Sequence, residues 1–381
     1  MIYWDYNAAA PVRSEVAALL SRAFAHGGFG NASSVHQGGR DARARLDAAR
    51  AKVARVLGCE PKEVTFTGSG SESDALALVG AWHARPVPAR RRVVTSSVEH
   101  PALLGAVAQL EREGATVVRV APGPDGRVRA EDVLGALTDD TALCSLMWAN
   151  NETGVVQPAA EVARACRQRG VLFHTDAVQA AGKVPLSLRE VDADLLSLSA
   201  HKFGGPPGVG VLVVRKGVDV RALTPGHQEG GRRGGTQNVP YAEALALALE
   251  LASAELAPVA ARLGALRDGF EREVLSSLPD VEVNGAGVAR VPNTSNLRFH
   301  GVEGESLLIA LDLEGICVST GAACASGTLT PSHVLRAMGL TAPQARGSLR
   351  FSLGPGTSEA EVERVLQALR QHVPKVRALA G

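Results

Sequence analysis

From about residue 60 to residue 215, short apolar runs alternate with stretches of helical spacing. Residues 63–66, 92–96, 115–120, 143–149, 171–175, 195–199 and 209–214 read as strands. Residues 73–82, 102–112 and 159–168 carry the helical pattern between them. Strands alternating with helices predict an α/β fold whose mainly parallel sheet is covered on both faces. In such sheets ligands bind beyond the carboxyl ends of strands. Gly68, Asp176 and Lys202 would all lie at such ends. From Pro240 to about Val274 the pattern is long and helical, with Pro258 as the expected break. Shorter strands and helices follow, so the shift near residues 255–260 is the expected domain boundary. No internal repeat or low-complexity stretch is visible.

Length and composition narrow the class. A chain of 381 residues exceeds what one hydrophobic core usually serves, which predicts two domains. The formal net charge of +1 gives no support to direct nucleic-acid binding or to a membrane-surface role. Met1-Ile2-Tyr3-Trp4-Asp5 lacks a basic region followed by an apolar run, so no signal peptide is expected. Residues 241–256 come closest to a membrane span, but Glu243, Glu250 and Glu255 interrupt them. Cys59, Cys144, Cys166, Cys317 and Cys324 are odd in number and form no C-x-x-C pair. That argues against a disulfide framework or a metal site and favours reduced thiols in the cytoplasm.

Candidate chemistry centres on Ser199-Ala200-His201-Lys202, between a buried-looking run and a glycine-rich loop. A lysine there is placed to form a Schiff base, because desolvation lowers its pKa and frees the amine as a nucleophile. Lysine is scarce: only Lys52, Lys62, Lys183, Lys202, Lys216 and Lys375 occur. A solvated lysine at a strand end is the alternative. Thr67-Gly68-Ser69-Gly70-Ser71-Glu72 joins a strand to a helix and can be a phosphate cradle or a serine-capped helix start. Asp176 ends another strand, where it could pair with a protonated pyridine nitrogen or cap a helix. His100 opens a helix and could stack on a ring and move protons, or simply bond to backbone.

Asn150-Asn151 follows a strand and suits either carboxylate recognition or a turn. Gly230-Gly231-Arg232-Arg233-Gly234-Gly235-Thr236 is a basic loop that could hold a phosphate or merely face solvent. Arg350 alternates with apolar residues on a strand and needs an anionic partner, from a substrate or from the protein. Cys324 sits among tiny residues in a loop, where it would be accessible as a reactive thiol must be or is an ordinary loop cysteine, whereas Cys317 reads as an inert core cysteine.

Taken in order, these segments resemble the cysteine desulfurases, pyridoxal-phosphate enzymes of the class V aminotransferase family. The likeness runs from Asp5-Tyr6-Asn7-Ala8-Ala9-Ala10 and Asn31-Ala32-Ser33-Ser34-Val35-His36 through the Gly68–Glu72 turn, Glu99-His100, Asn150-Asn151-Glu152 and Asp176-Ala177-Val178-Gln179. It continues through Ser199–Lys202, Arg233-Gly234-Gly235-Thr236, Cys324-Ala325-Ser326-Gly327 and Pro331-Ser332-His333-Val334-Leu335 to Arg350. The residues after Cys324 resemble the longer-loop branch, which serves iron–sulfur assembly. Departures are Gly-Ser-Gly-Ser-Glu at the phosphate turn, where Ser71 keeps the hydroxyl, and Ala32 where proline is usual.

The resemblance implies the type I fold of pyridoxal-phosphate-dependent transferases. It implies a large cofactor-binding domain over residues 15–256 and a small α/β domain from residues 1–14 and 257–381 that carries the cysteine loop. It further implies pyridoxal 5'-phosphate bound as a Schiff base to Lys202, with Asp176 on the pyridine nitrogen and His100 stacked on the ring. Gln179 and Asn151 would contact ring substituents. Gly70, Ser71, Ser199 and His201 would bind the phosphate, as would Thr236 of the other subunit in a homodimer. Arg350, Asn151 and Asn31 would hold the carboxylate of L-cysteine. Cys324 would take the sulfur as a persulfide, releasing alanine, and pass it to an iron–sulfur scaffold or a tRNA-thiolating enzyme. A selenocysteine lyase, an aminotransferase of the same fold, and a non-catalytic sulfur carrier remain alternatives.

Overall fold

The computed structural model describes residues 1–25, 27, 30–85, 90–320 and 330–379. Its strands are β1 (Ile2–Tyr3), β2 (Val64–Thr67), β3 (Arg92–Ser96), β4 (Thr116–Val120), β5 (Thr141–Ser145), β6 (Leu172–Asp176), β7 (Leu195–Ser199), β8 (Gly210–Val214), β9 (Val281–Val283), β10 (Thr294–Phe299), β11 (Ile316–Cys317) and β12 (Ser348–Ser352). Seven of them form one sheet in the order β2-β8-β7-β6-β5-β3-β4. The run from β7 to β4 is parallel, and β8 is antiparallel to both neighbours.

Alternation along each strand divides the side chains between two layers. Val93, Leu143, Leu172, Leu195 and Leu212 pack with Leu103, Val107 and Leu110 of the helix Pro101–Arg112 on one face. Val94, Cys144, Phe173, Leu196 and Val211 pack on the other with residues of the helices Gln37–Leu57 and Val239–Ala254. Burial on both faces is why these strands are apolar without a polar stripe.

A separate apolar cluster gathers Trp4, Phe270, Leu297, Leu307, Leu311, Phe351 and Leu369. Trp4 meets Phe270 edge-on with ring centroids 5.2 Å apart. Here β10 pairs antiparallel with β9 and β12, and β1 pairs with β11. The N-terminal strand is therefore packed with the C-terminal part of the chain.

Two expectations need correction. The run 143–149 leaves the ladder after Ser145, although Trp148 N–H still bonds the Asp176 carbonyl at 2.9 Å. Residues 146–149 are apolar because they are a buried connection, not because they are strand. The long helix breaks at Glu255, not at Pro258: Val239–Ala254 and Leu256–Ser277 meet at 68°. Pro258 falls in the first turn of the second helix, where its missing N–H has no intrahelical acceptor to lose. Among the described residues no single helix is long and apolar enough to cross a membrane.

Candidate active site

The parallel pairing of β6 with β7 sets Asp176 opposite Ser197 and brings both strand ends to one edge of the sheet. Asp176 is buried, and its Oδ1 accepts the Val178 N–H at 2.9 Å. Burial pushes its carboxyl up to about 6, against the pull of that N–H and of Lys202. Lys202 closes the short 3-10 turn Ala200–Lys202 just beyond β7. Its Nζ donates to the carbonyls of Asn7 and Ala8, both at 2.7 Å. Ser199 Oγ lies 2.9 Å from His201 Nδ1, and burial, aided by Lys202, brings the His201 ring down to about 4.

His100 caps the helix Pro101–Arg112, its Nδ1 accepting the Ala102 N–H at 3.2 Å. Burial, with Lys202 and His333 nearby, lowers its pKa to about 4. The ring is thus neutral near pH ~7, and the cap leaves its proton on Nε2.

Across the edge, Thr67 of β2 and Ser199 of β7 both pair with Gly210 of β8. This row sets the 68–72 turn beside Ser199. Ser69 Oγ caps the next helix by accepting the Glu72 N–H at 3.0 Å, and Glu72 Oε2 accepts the Gly68 N–H at 2.6 Å. A Cβ on Gly70 would stand 2.9 Å from Val178 Cγ2 and 3.1 Å from Ser199 Cβ. Only glycine lets this helix start press so close to Ser199, and Gly70 and Ser71 present first-turn N–H groups there.

The small sheet reaches the same region. Arg350 of β12 is buried, donating to Asp5 Oδ1 at 2.6 Å and to the Asn151 carbonyl at 2.9 Å, while its buried Nε has no hydrogen-bond partner among the described residues. Of the two partners open to it, Arg350 has the one from the protein. The Gln179 amide is also engaged: Nε2 donates to the Asn7 carbonyl at 2.9 Å and Oε1 accepts from Lys183. Asn150 is a turn former, its Oδ1 accepting the N–H groups of Glu152 and Thr153. Asn31 is an exposed turn residue whose Oδ1 accepts the Ser33 N–H at 2.9 Å, and Thr236 is exposed on its loop. Cys324 lies outside the described residues. The chain leading to it is tied at Ser319, which exchanges backbone bonds with Arg350 at 2.6 and 3.1 Å.

Sequence reasoning passed over several groups here. Asn7 and Lys183 join Gln179 to Lys202, and the only local trace is the i, i+4 spacing of Gln179 and Lys183. Beneath Asp176 lie Asp74, His174 and Glu99, all buried. His174 sits 2.8 Å from Ser145 Oγ, 3.0 Å from Ser197 Oγ and 3.6 Å from Asp74 Oδ1. Burial lowers the His174 pKa to about 3 and, with Asp176 nearby, holds the Asp74 carboxyl well above its usual range.

Glu99 Oε1 accepts from Ser96 Oγ at 2.6 Å and from Met147 N–H at 3.0 Å, Oε2 has no hydrogen-bond partner among the described residues, and burial pushes the group up to about 8. The folded protein therefore binds a proton that the unfolded chain has released between 4.5 and about 8, so Glu99 costs stability as pH rises through that window. Glu99→Gln removes this term. Its urea-unfolding free energy, relative to the parent, is expected to improve steadily from about pH 5 to about pH 8.

The pattern of the Aminotransferase class-V family matches residues 2–365. Over 381 residues the chain is 42% identical to a cysteine desulfurase of Trichormus azollae, covering 100% of this chain and 94% of that protein. The chain belongs to the cysteine desulfurases of the class-V aminotransferase family. Its fold is theirs as well. A solved NifS-like protein superposes with a TM-score of 0.91 at 34% identity, covering 98% of this chain and 99% of that one. The structure of SspA in complex with cysteine matches with a TM-score of 0.81 at 31% identity, over 94% of this chain and 100% of that one.

Proposed function

We propose that this desulfurase converts L-cysteine to L-alanine with pyridoxal 5'-phosphate held at the edge formed by Asp176, Ser199 and Lys202, and that Cys324 takes the sulfur. The observation that carries the reading is the convergence of Lys202 Nζ, buried Asp176 and the glycine-only approach of the 68–72 turn to Ser199. These fit an aldehyde, a pyridine nitrogen and a phosphate respectively. Lys202 would hold the group covalently, Asp176 would face its ring nitrogen, and His100 its ring. Gly70, Ser71, Ser199 and His201 would take the phosphate, with Thr236 from a second subunit. Asn151 would contact a ring substituent. For Gln179 to do so, its amide would have to give up a present partner.

Bound there, pyridoxal phosphate supplies an electron sink for the amino acid's α- and β-carbons. The residues supply the rest. Asp176, as a carboxylate, favours a protonated partner nitrogen. His100 holds its proton at Nε2 and can deliver it there. Arg350 and Asn151 would hold the substrate carboxylate, which requires Arg350 to share or leave Asp5; Asn31 is the outlying member of that set. The Cys324 thiolate then bonds to the substrate sulfur. The carbon–sulfur bond breaks, its electron pair stays with the β-carbon, and that carbon takes a proton to give alanine. Cys324 is five residues from Ser319, so the chain between them spans at most about 17 Å, which supports its reach to the Arg350 region.

We further propose a homodimer, in which the exposed Thr236 loop meets its partner, and the division into domains over residues 15–256 and over residues 1–14 with 257–381. The cluster around Trp4, Phe270 and Phe351, drawn wholly from residues 1–14 and 257–381, supports that division, although Val334, Leu335, Met338, Leu340 and Ala345 pack in the cluster of the large sheet. Cys59, Cys144, Cys166 and Cys317 are unbridged, which supports a cytoplasmic setting. An iron–sulfur scaffold or a tRNA-thiolating enzyme would accept the sulfur. Treating the purified chain with pyridoxal phosphate and then borohydride should fix one adduct, on Lys202 by peptide mapping. An adduct on another lysine, with Lys202 unlabelled, contradicts the reading.

A further inference from the structure

Asn7 is buried where the N-terminal segment passes the strand ends, and its side chain is bonded on every side. Nδ2 donates to Thr294 Oγ1 at 2.8 Å and to the Asn151 carbonyl at 3.2 Å. Oδ1 accepts from Lys183 Nζ at 2.8 Å and from Asn293 Nδ2 at 3.2 Å. Its backbone N–H donates to Ser352 Oγ at 3.0 Å. Its carbonyl accepts from Gln179 Nε2 at 2.9 Å and from Lys202 Nζ at 2.7 Å, and the Ala8 carbonyl takes a second bond from Lys202 at 2.7 Å. One residue thus ties β10, β12, Asn151 and the turn after β6 to the two carbonyls that hold the Lys202 amine.

We propose that Asn7 is a positioning residue for Lys202. Its buried side chain fixes the Asn7 and Ala8 carbonyls as a two-acceptor seat that orients the amine toward an aldehyde cofactor. This rests on the cofactor reading above. A polar network with its bonds made is rigid, and removing its centre leaves several buried groups short of partners. The seat also acts on proton affinity, because two carbonyl acceptors favour the charged amine. Among the described residues, Lys202 acts electrostatically on the ionisable groups Asp176, His100, His201 and Lys183. Asp5 and Arg350 lie one bond further out, through Asn151. Lys183 is held well below its usual range by burial, then by Lys202 and Arg350, so it serves Asn7 as a donor with little competing charge.

The test follows capture of pyridoxal phosphate by the full chain after its cofactor is stripped with hydroxylamine. Adducts on Lys202 are fixed with borohydride across a range of pH and counted by mass spectrometry. Asn7→Ala loosens the seat. Its plateau capture rate is expected to fall about tenfold or more, with the midpoint moved to lower pH by about half a unit or more. Asn7→Asp keeps the acceptor and adds a negative charge beside Lys183 and Lys202, so its midpoint is expected to move the other way. A purely structural Asn7 would lower thermal stability and leave both quantities alone. If the parent captures the aldehyde at Lys202 and both variants keep its midpoint and plateau, this inference falls while the cofactor reading stands. If the parent itself does not label at Lys202, both fall. If Asn7→Ala does not fold, Asn7→Asp decides, and an unmoved midpoint overturns the proposal.

Discussion

Cys324→Ala is expected to keep the yellow colour of the bound cofactor and to lose sulfur transfer, with the rate of persulfide formation from L-cysteine down by about 10³-fold or more. The two outcomes separate because Lys202 and Asp176 lie at strand ends of the large sheet, whereas Cys324 follows Ser319, which is tied to β12. Substrate should still bind, since Arg350 and Asn151 are untouched. Absorbance for cofactor content and mass spectrometry for protein-bound sulfur check the two halves separately. Normal persulfide formation by the variant would remove Cys324 from the chemistry.

Lys202→Ala carries the second large effect. The phosphate cradle survives, because Gly70, Ser71 and Ser199 owe nothing to the lysine side chain. The variant should therefore retain cofactor weakly, in a form that dialysis removes, and turn over cysteine about 10³-fold or more slowly. Loss of the amine also empties the seat formed by Asn7 and Ala8 and relieves its charge on Lys183. Ultraviolet–visible spectra before and after dialysis, with alanine assays, check this expectation. A variant that keeps its colour through dialysis and turns over normally would move the covalent anchor elsewhere.

The strands of the large sheet were legible because burial on both faces demands continuous apolar runs, as in Leu195–Ser199 and Gly210–Val214. The same logic overshot at residues 146–149, where a buried connection is as apolar as a strand. The helix Gln37–Leu57 went unread because arginines crowd it and its buried stripe is mostly small: Ala42, Leu46, Ala49 and Val53. Residues placed at strand ends, Asp176 and Lys202, could be found because topology brings such ends together. Asn7 could not, since its partners lie at Lys183, Asn293 and Ser352 and no local pattern points to them. Arg350 was flagged as needing an anion, and Asp5 supplies one within the chain.

The central claim is that Lys202 and Cys324 together take the sulfur from cysteine. A single-turnover reaction without reductant tests it most directly, with alanine and protein-bound sulfur measured on the same sample. One alanine per active site should form, with one additional sulfur on the peptide that contains Cys324. Alanine without sulfur on Cys324, or pyruvate and ammonia in place of alanine, would contradict the account.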